Sequence, residues 1–303
     1  MKKSASRPLP KYLNQAVSAP VLLSQARRAF ERIPDPRRYG QQFSLPDVLM
    51  SGLAVFGLKY PSLLKFDEQR HEARIRANLK SLYGVEHAPC DTQLRSVLDR
   101  VDPVDVRAPF VQINQRLHQQ GILEGFHYLG GFLVSVDGTG EFSSSSIHCA
   151  ECCERHHRQG HVSYYHQLLA AVLVHPDRKE VIPLFPEAIT RQDGETKNDC
   201  EANASKRLLR AIREAFPNWP LRVVEDRLSA NGPHIKLLKE LNMGYIISVK
   251  PEGQDSLFAE VRQRVLKGQC QEFEVLGSDE ILRGYRWINE IPLNKSHPDL
   301  LVN

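Results

Sequence analysis

The second half of the chain sets short apolar runs between stretches of helical period, and their order restricts the fold more than any other feature. Phe132-Leu133-Val134-Ser135-Val136 leads into Asp137. The run is β-branched and too short for a helix, so it reads as a buried strand, broken by Gly138-Thr139-Gly140. Tyr164–His175 reads as a second buried strand, and Pro176-Asp177 turns the chain into a third over Glu180–Ile189, which makes a hairpin. Cys200–Phe216 is helical, with Leu208, Leu209, Ile212 and Phe216 facing inward. A strand over Leu221–Asp226, a helix over Asn231–Leu241, a strand over Met243–Lys250 and a helix over Ser256–Leu266 follow. Glu272–Pro292 reads as one or two further strands. The order strand, hairpin strand, strand, helix, strand, helix, strand packs most economically as a mixed sheet flanked by helices, an α/β fold.

The first half has a different grammar. Ser44 reads as a helix cap, with Pro46 in the first turn and Val48, Leu49, Leu53 and Phe56 on one side. A helix over Val21–Arg32 precedes it. One over Ser62–Leu82 follows, stopped by Gly84. Asp91 caps another, whose Leu94, Val97, Leu98 and Val101 recur at helical spacing, and a further helix runs to about His118. Residues 20–120 are therefore a helical region, where Arg95 and Arg100 could meet DNA or simply flank a packed stripe. Charge is concentrated ahead of it. Residues 1–40 carry nine Lys/Arg against two acids, a net +7 in a chain of net +4. Such an arm suits a polyanion, or is a solvated tail. No apolar stretch is long enough to span a bilayer, and no apolar run follows Met1-Lys2-Lys3-Ser4, so the cytosol is the expected compartment.

Asp137 and Asp226 both end buried strands, 89 residues apart. Two carboxylates brought together repel unless a cation lies between them. Hard oxygen ligands on a rigid sheet suit Mg²⁺ or Mn²⁺, and such ions support phosphoryl transfer. Strand alternation sends Glu225 to the opposite face from Asp226. A phosphatase-type reading would want an acid at Ser135, and no Walker or dinucleotide fingerprint is present. The six cysteines form no spread scaffold. Cys149, Cys152 and Cys153 fall within five positions, between His148 and His157. Cys149-x-x-Cys152 has the spacing of a zinc half-site. His157, with His148 or Cys153, could close a structural Zn²⁺ site. Four ligands within so short a stretch are cramped, so His166 is a further candidate. Lys206, Arg207, Arg210 and Arg213 punctuate one helix and could neutralise DNA phosphates, or form a solvated face. Arg227, directly after Asp226, is a better phosphate contact.

The stretches Leu133–Gly140, Tyr164–Glu187, Asn198–Leu209 and Val223–Ile235 together resemble the catalytic domain of DDE-class insertion-sequence transposases. The resemblance implies a ribonuclease-H-like fold over residues 126–270, after a basic arm (1–40) and a helical DNA-binding region (41–125), with 271–303 starting a strand-rich inserted segment. It implies that Asp137 and Asp226 are the first two acids of a Mg²⁺-binding triad. Double-stranded DNA at insertion-sequence ends and target would be the substrate, with at least a homodimer in the synaptic complex. It also implies a third acid, a glutamate on a later helix. None of the acids after Asp226 lies in that setting, and Glu290 sits in a strand-like run before Pro292. The expectation is a C-terminally truncated transposase with impaired chemistry. A non-catalytic DNA-binding remnant or inhibitor is the alternative, and an unrelated ribonuclease-H-like nuclease would need a third carboxylate in this chain.

Overall fold

The computed structural model describes residues 15–38, 41–190, 200–277 and 279–303. The start of the basic arm, including Lys2, Lys3, Arg7 and Lys11, lies outside the described residues, as do Asn198 and Asp199 of the third resembling stretch.

The N-terminal region is helical. α1 (Ala19–Phe30) and α2 (Leu45–Gly57) open it, and the Ser44 side chain accepts the Asp47 N–H to cap α2. The expected helix over Ser62–Leu82 is instead two helices, α3 (Leu63–Gln69) and α4 (Ala73–Asn78), followed by a π-helical turn over Leu79–Tyr83. Arg70 sits at the break, bonding Asp67 and the Ala88 carbonyl. Gly84 ends the turn at φ 68°, a left-handed conformation that favours glycine. α5 (Asp91–Leu98) starts behind Cys90 as its cap residue rather than Asp91, whose carboxylate binds the Thr92 N–H. Val48, Met50, Phe66, Leu79 and Leu94 form this region's own core.

α6 (Arg107–Gln119) belongs to both halves. It packs against α1, while Leu117 joins the core beneath the sheet. The sheet then follows in chain order. β1 (His127–Tyr128) and β2 (Gly131–Ser144) pair at the start. β3 (Cys153–His156), β4 (Val162–Val174) and β5 (Ile182–Ile189) come next. α7 (Glu201–Ala215), β6 (Leu221–Glu225), α8 (Gly232–Glu240) and β7 (Gly244–Ile247) complete the unit. Across the sheet the order is β5–β4–β2–β6–β7. β4 runs antiparallel to β2 and β5, whereas β6 and β7 run parallel to β2. A hairpin-built half joined through the first long strand to a parallel half with helical crossovers is the ribonuclease-H-like arrangement.

β2 does not stop at Asp137. It continues through Gly138-Thr139-Gly140 to Ser144, because β4 supplies partners as far as Ser144↔Tyr164, with a register shift between Gly140 and Phe142. β2 and β4 thus extend well past the five-residue β6, and β3 joins them on the outer edge of β4. The core under the sheet holds Val134, Val136, Leu173, Val223, Leu208 and Ile212. At one end Phe216 stacks on Trp219 at 4.2 Å between ring centroids, and Phe132 packs tilted against the same Trp219 at 5.3 Å. Burying each such side chain contributes about 1.5–3 kcal/mol. α9 (Asp255–Leu266) and two hairpins, β8–β9 (Gln271–Leu276, Leu282–Trp287) and β10–β11 (Ile291–Asn294, His297–Val302), complete the described chain. Leu293 and Leu300 seat the last hairpin on Ile235 of α8. No described helix is long and apolar enough to cross a membrane.

Candidate active site and a neighbouring thiol–imidazole cluster

β2 and β6 run side by side with Ser135 opposite Val224. Asp137 and Asp226 each lie two residues beyond that pair, Asp137 still within β2 and Asp226 just past the end of β6. Both carboxylates are exposed at the mouth of one cavity of about 750 Å³, which Glu201, Lys206, Glu225 and His234 also line. Each carboxylate is partly engaged by its own backbone. Asp137 Oδ1 accepts from the Gly138 N–H at 2.9 Å, and Asp226 Oδ1 accepts from the Leu228 N–H at 2.9 Å, capping a short 3₁₀ turn. The second oxygen of each is left for a cation, and two hard carboxylates fit Mg²⁺ or Mn²⁺.

Behind Asp226 the structure places a buried group that periodicity alone did not reveal. Glu225 points inward, as alternation requires, yet it backs the same cavity. Its Oε2 lies 2.6 Å from His234 Nε2, and Ser205 Oγ donates to its Oε1 at 3.4 Å. With Nε2 carrying the proton, the imidazole donates to the carboxylate and offsets its loss of water. Asn231 caps α8 by accepting the His234 N–H at 3.0 Å, which fixes where that imidazole sits. Asp226 therefore leaves a strand end anchored by its immediate neighbour. On the other side, Glu201 in the first turn of α7 accepts from Gln167 and lies over Gly138, where an added Cβ would collide with its carboxylate.

The expected phosphate contacts divide. Arg207 Nε donates to the buried Glu187 at 2.6 Å, and Arg210 pairs with Glu240 at 3.1 Å, so both charges are matched within the chain. Arg213 is committed further: its guanidinium donates to the carbonyls of Phe216, Pro217, Trp219, Leu241 and Asn242, and burial pushes its pKa down. Lys206 lines the cavity, with Nζ 3.3 Å from Asn203 Oδ1, and Arg227 stands exposed beside Asp226.

The cysteine loop also differs from the expected ligand set. Cys149, Cys152 and His166 converge, and theirs is the one group of three candidate metal ligands found among the described residues. Cys149 Sγ lies 3.6 Å from Cys152 Sγ and 3.4 Å from His166 Nε2, and the Cys152 Sγ to His166 distance is 3.3 Å. Burial is the main influence on Cys152 and pushes its thiol pKa up. Cys153 does not join. It is the first residue of β3, faces the core, and its Sγ donates to the Ile189 carbonyl. Nor does His157, which stacks on His161 at 4.2 Å with Nε2 2.8 Å from Ser163 Oγ. His148 stacks on Tyr164 instead.

No protein-family model matches the chain, and no curated protein sequence matches it. Among solved structures, 98% of the chain aligns with a piggyBac transposase in a synaptic complex with hairpin DNA, at 10% identity and a TM-score of 0.36. The chain covers 65% of that protein, less than two thirds of its length. A TM-score this low does not establish a shared fold, so register and side-chain chemistry carry the functional reading.

Proposed function

We propose that this chain is an insertion-sequence DNA transposase of the DDE class, with Asp137 and Asp226 holding Mg²⁺ or Mn²⁺ for strand cleavage and transfer. The observation that supports it is that Asp137 and Asp226, each two residues beyond the last β2–β6 pair, line one cavity. The metal, when bound, supplies a Lewis acid that activates water and stabilises a leaving 3′-oxygen. The chain's own residues do the positioning. Glu225 and His234 hold the end of β6, and Lys206 and Arg227 attract the DNA phosphates at the rim. Double-stranded DNA at the element's ends and target is the partner, with at least a homodimer in the synaptic complex. The cytoplasm is the proposed compartment.

No third carboxylate closes a three-ligand group with these two among the described residues. Cleavage is therefore proposed to be weak in this chain. The same observation favours a second reading, a DNA-binding protein without cleavage activity that occupies the element's ends. The test is metal-dependent nicking of a supercoiled plasmid, run beside binding of a labelled duplex. Slow Mn²⁺-dependent nicking, lost in Asp137→Asn and Asp226→Asn while binding persists, supports the transposase reading. The asparagines keep an oxygen for the Gly138 and Leu228 N–H groups, so the local turns survive. Binding without nicking supports the second reading. A chain that neither binds nor nicks DNA, or nicks equally well without both acids, overturns the catalytic assignment.

A further inference from the structure

We propose that Cys149, Cys152 and His166 form a Zn²⁺ site with an open fourth corner, which ties the β2–β3 loop to β4. It is independent of the carboxylate site and of any reaction there. Zinc binds thiolate at about 2.3 Å and imidazole at about 2.0–2.1 Å, so tetrahedral angles set S···S near 3.8 Å and S···N near 3.5 Å. The observed triangle is 3.6, 3.4 and 3.3 Å. All three ligand atoms thus lie on one face of a tetrahedron only slightly smaller than zinc requires. Two soft thiols and an imidazole select zinc over the hard cations that suit Asp137 and Asp226.

The backbone is arranged to support this. The Cys152 N–H turns back to the Cys149 carbonyl at 3.3 Å, closing the Cys-x-x-Cys turn, and the Cys149 N–H donates to Cys152 Sγ at 3.3 Å. A backbone donor aimed at sulfur stabilises a thiolate. His166 comes from a different strand, opposite Phe142 at the register shift in β2. The site therefore joins two segments that the sequence separates by fourteen residues. Cys149 is exposed and Cys152 is buried, so the fourth corner lies on the Cys149 side and is filled by solvent. Loading displaces two thiol protons to solvent as both sulfurs bond the metal.

The full chain, produced with zinc in the medium and purified without chelator, is expected to hold one zinc per chain. Cys149→Ser and His166→Ala are each expected to lose it, with affinity falling by more than the roughly 10–100-fold cost of losing an outer supporting hydrogen bond. Because Cys152 is buried and its loss could unfold the loop, the second test is His166→Cys, which exchanges one zinc ligand for another and is expected to keep the metal. Cobalt added to the metal-free chain should give the visible bands of a tetrahedral site and a thiolate charge-transfer band, both absent in Cys149→Ser. X-ray absorption should find two sulfur and two nitrogen or oxygen neighbours, only one of them imidazole. Zinc should slow amide exchange across residues 149–153. A wild-type chain without zinc, retention of zinc by the Cys149→Ser/His166→Ala double variant, a second imidazole on the metal, or a Cys149–Cys152 disulfide in protein trapped anaerobically would each overturn the proposal.

Discussion

Glu187 gives the sharpest test of how the two halves are joined. It lies on β5, with a side chain only 7% exposed, and receives Arg107 from α6 and Arg207 from α7. Arg107 also stacks over Phe185, its guanidinium carbon 5.3 Å from the ring centroid, and its Nε is buried without a hydrogen-bond partner. Removing Glu187 takes the shared carboxylate away from Arg107, which is largely buried, and from Arg207, which is a third exposed. Losing one partner of a buried pair costs about 3–5 kcal/mol. Arg207 can recover water, so the lower end, about 3 kcal/mol, is expected for Glu187→Ala. Glu187→Gln keeps one acceptor and should cost about 1–2 kcal/mol. Glu240→Ala is the control, because its pair with Arg210 is more than half exposed and should be worth at most about 1 kcal/mol. The assay is urea unfolding followed by the fluorescence of Trp219, which lies in the sheet core. If Glu187→Ala shifts stability no more than Glu240→Ala, the buried bridge does not hold α6 and α7 to the sheet.

Arg213→Lys replaces a five-carbonyl fork with a point charge and should cost about 2–3 kcal/mol, read by thermal unfolding, although neither residue changes net charge. Burial raises the phenol pKa of Tyr83 and Tyr245. Their contribution is therefore complete below the unfolded value of about 10 and is lost as pH rises through the folded values. Stability measured between pH 8 and 11 should fall at the alkaline end, and the Tyr83→Phe/Tyr245→Phe variant should flatten that fall. Arg227→Ala should weaken duplex binding alike for all sequences and reduce the salt slope by about one, whereas Arg210→Ala should leave the slope unchanged, because Glu240 already matches that charge.

The sheet was legible because each apolar run ends in its own turn signal. Pro176-Asp177 and Asn231 sit where the structure turns or caps. What local reading missed came from partners far away in the chain. Gly138-Thr139-Gly140 looked like a break, but pairing with Leu169, Leu168 and Gln167 of β4 keeps it extended. His157 was the nearer candidate for the thiols, yet β4 brings His166 to them, and alternation turns Cys153 into the core. The helix period located Arg207 and Arg210 on α7 but could not show that Glu187 and Glu240 already meet them. Alternation puts Glu225 on the face opposite Asp226, but its imidazole partner, nine residues on, required the strand–helix crossover to be folded.

Glu225 and Asp226 are adjacent, and they look in opposite directions, one toward His234 and Ser205 and the other toward solvent. That adjacency governs which length changes the gene can tolerate. Deleting one codon within β6 would move every residue after it back by one position, bringing the aspartate against the imidazole and the glutamate to the place of Val224 on the opposite face. Losing two codons keeps the alternation. Among natural or selected variants, insertions and deletions in this strand should therefore occur in even numbers or be absent.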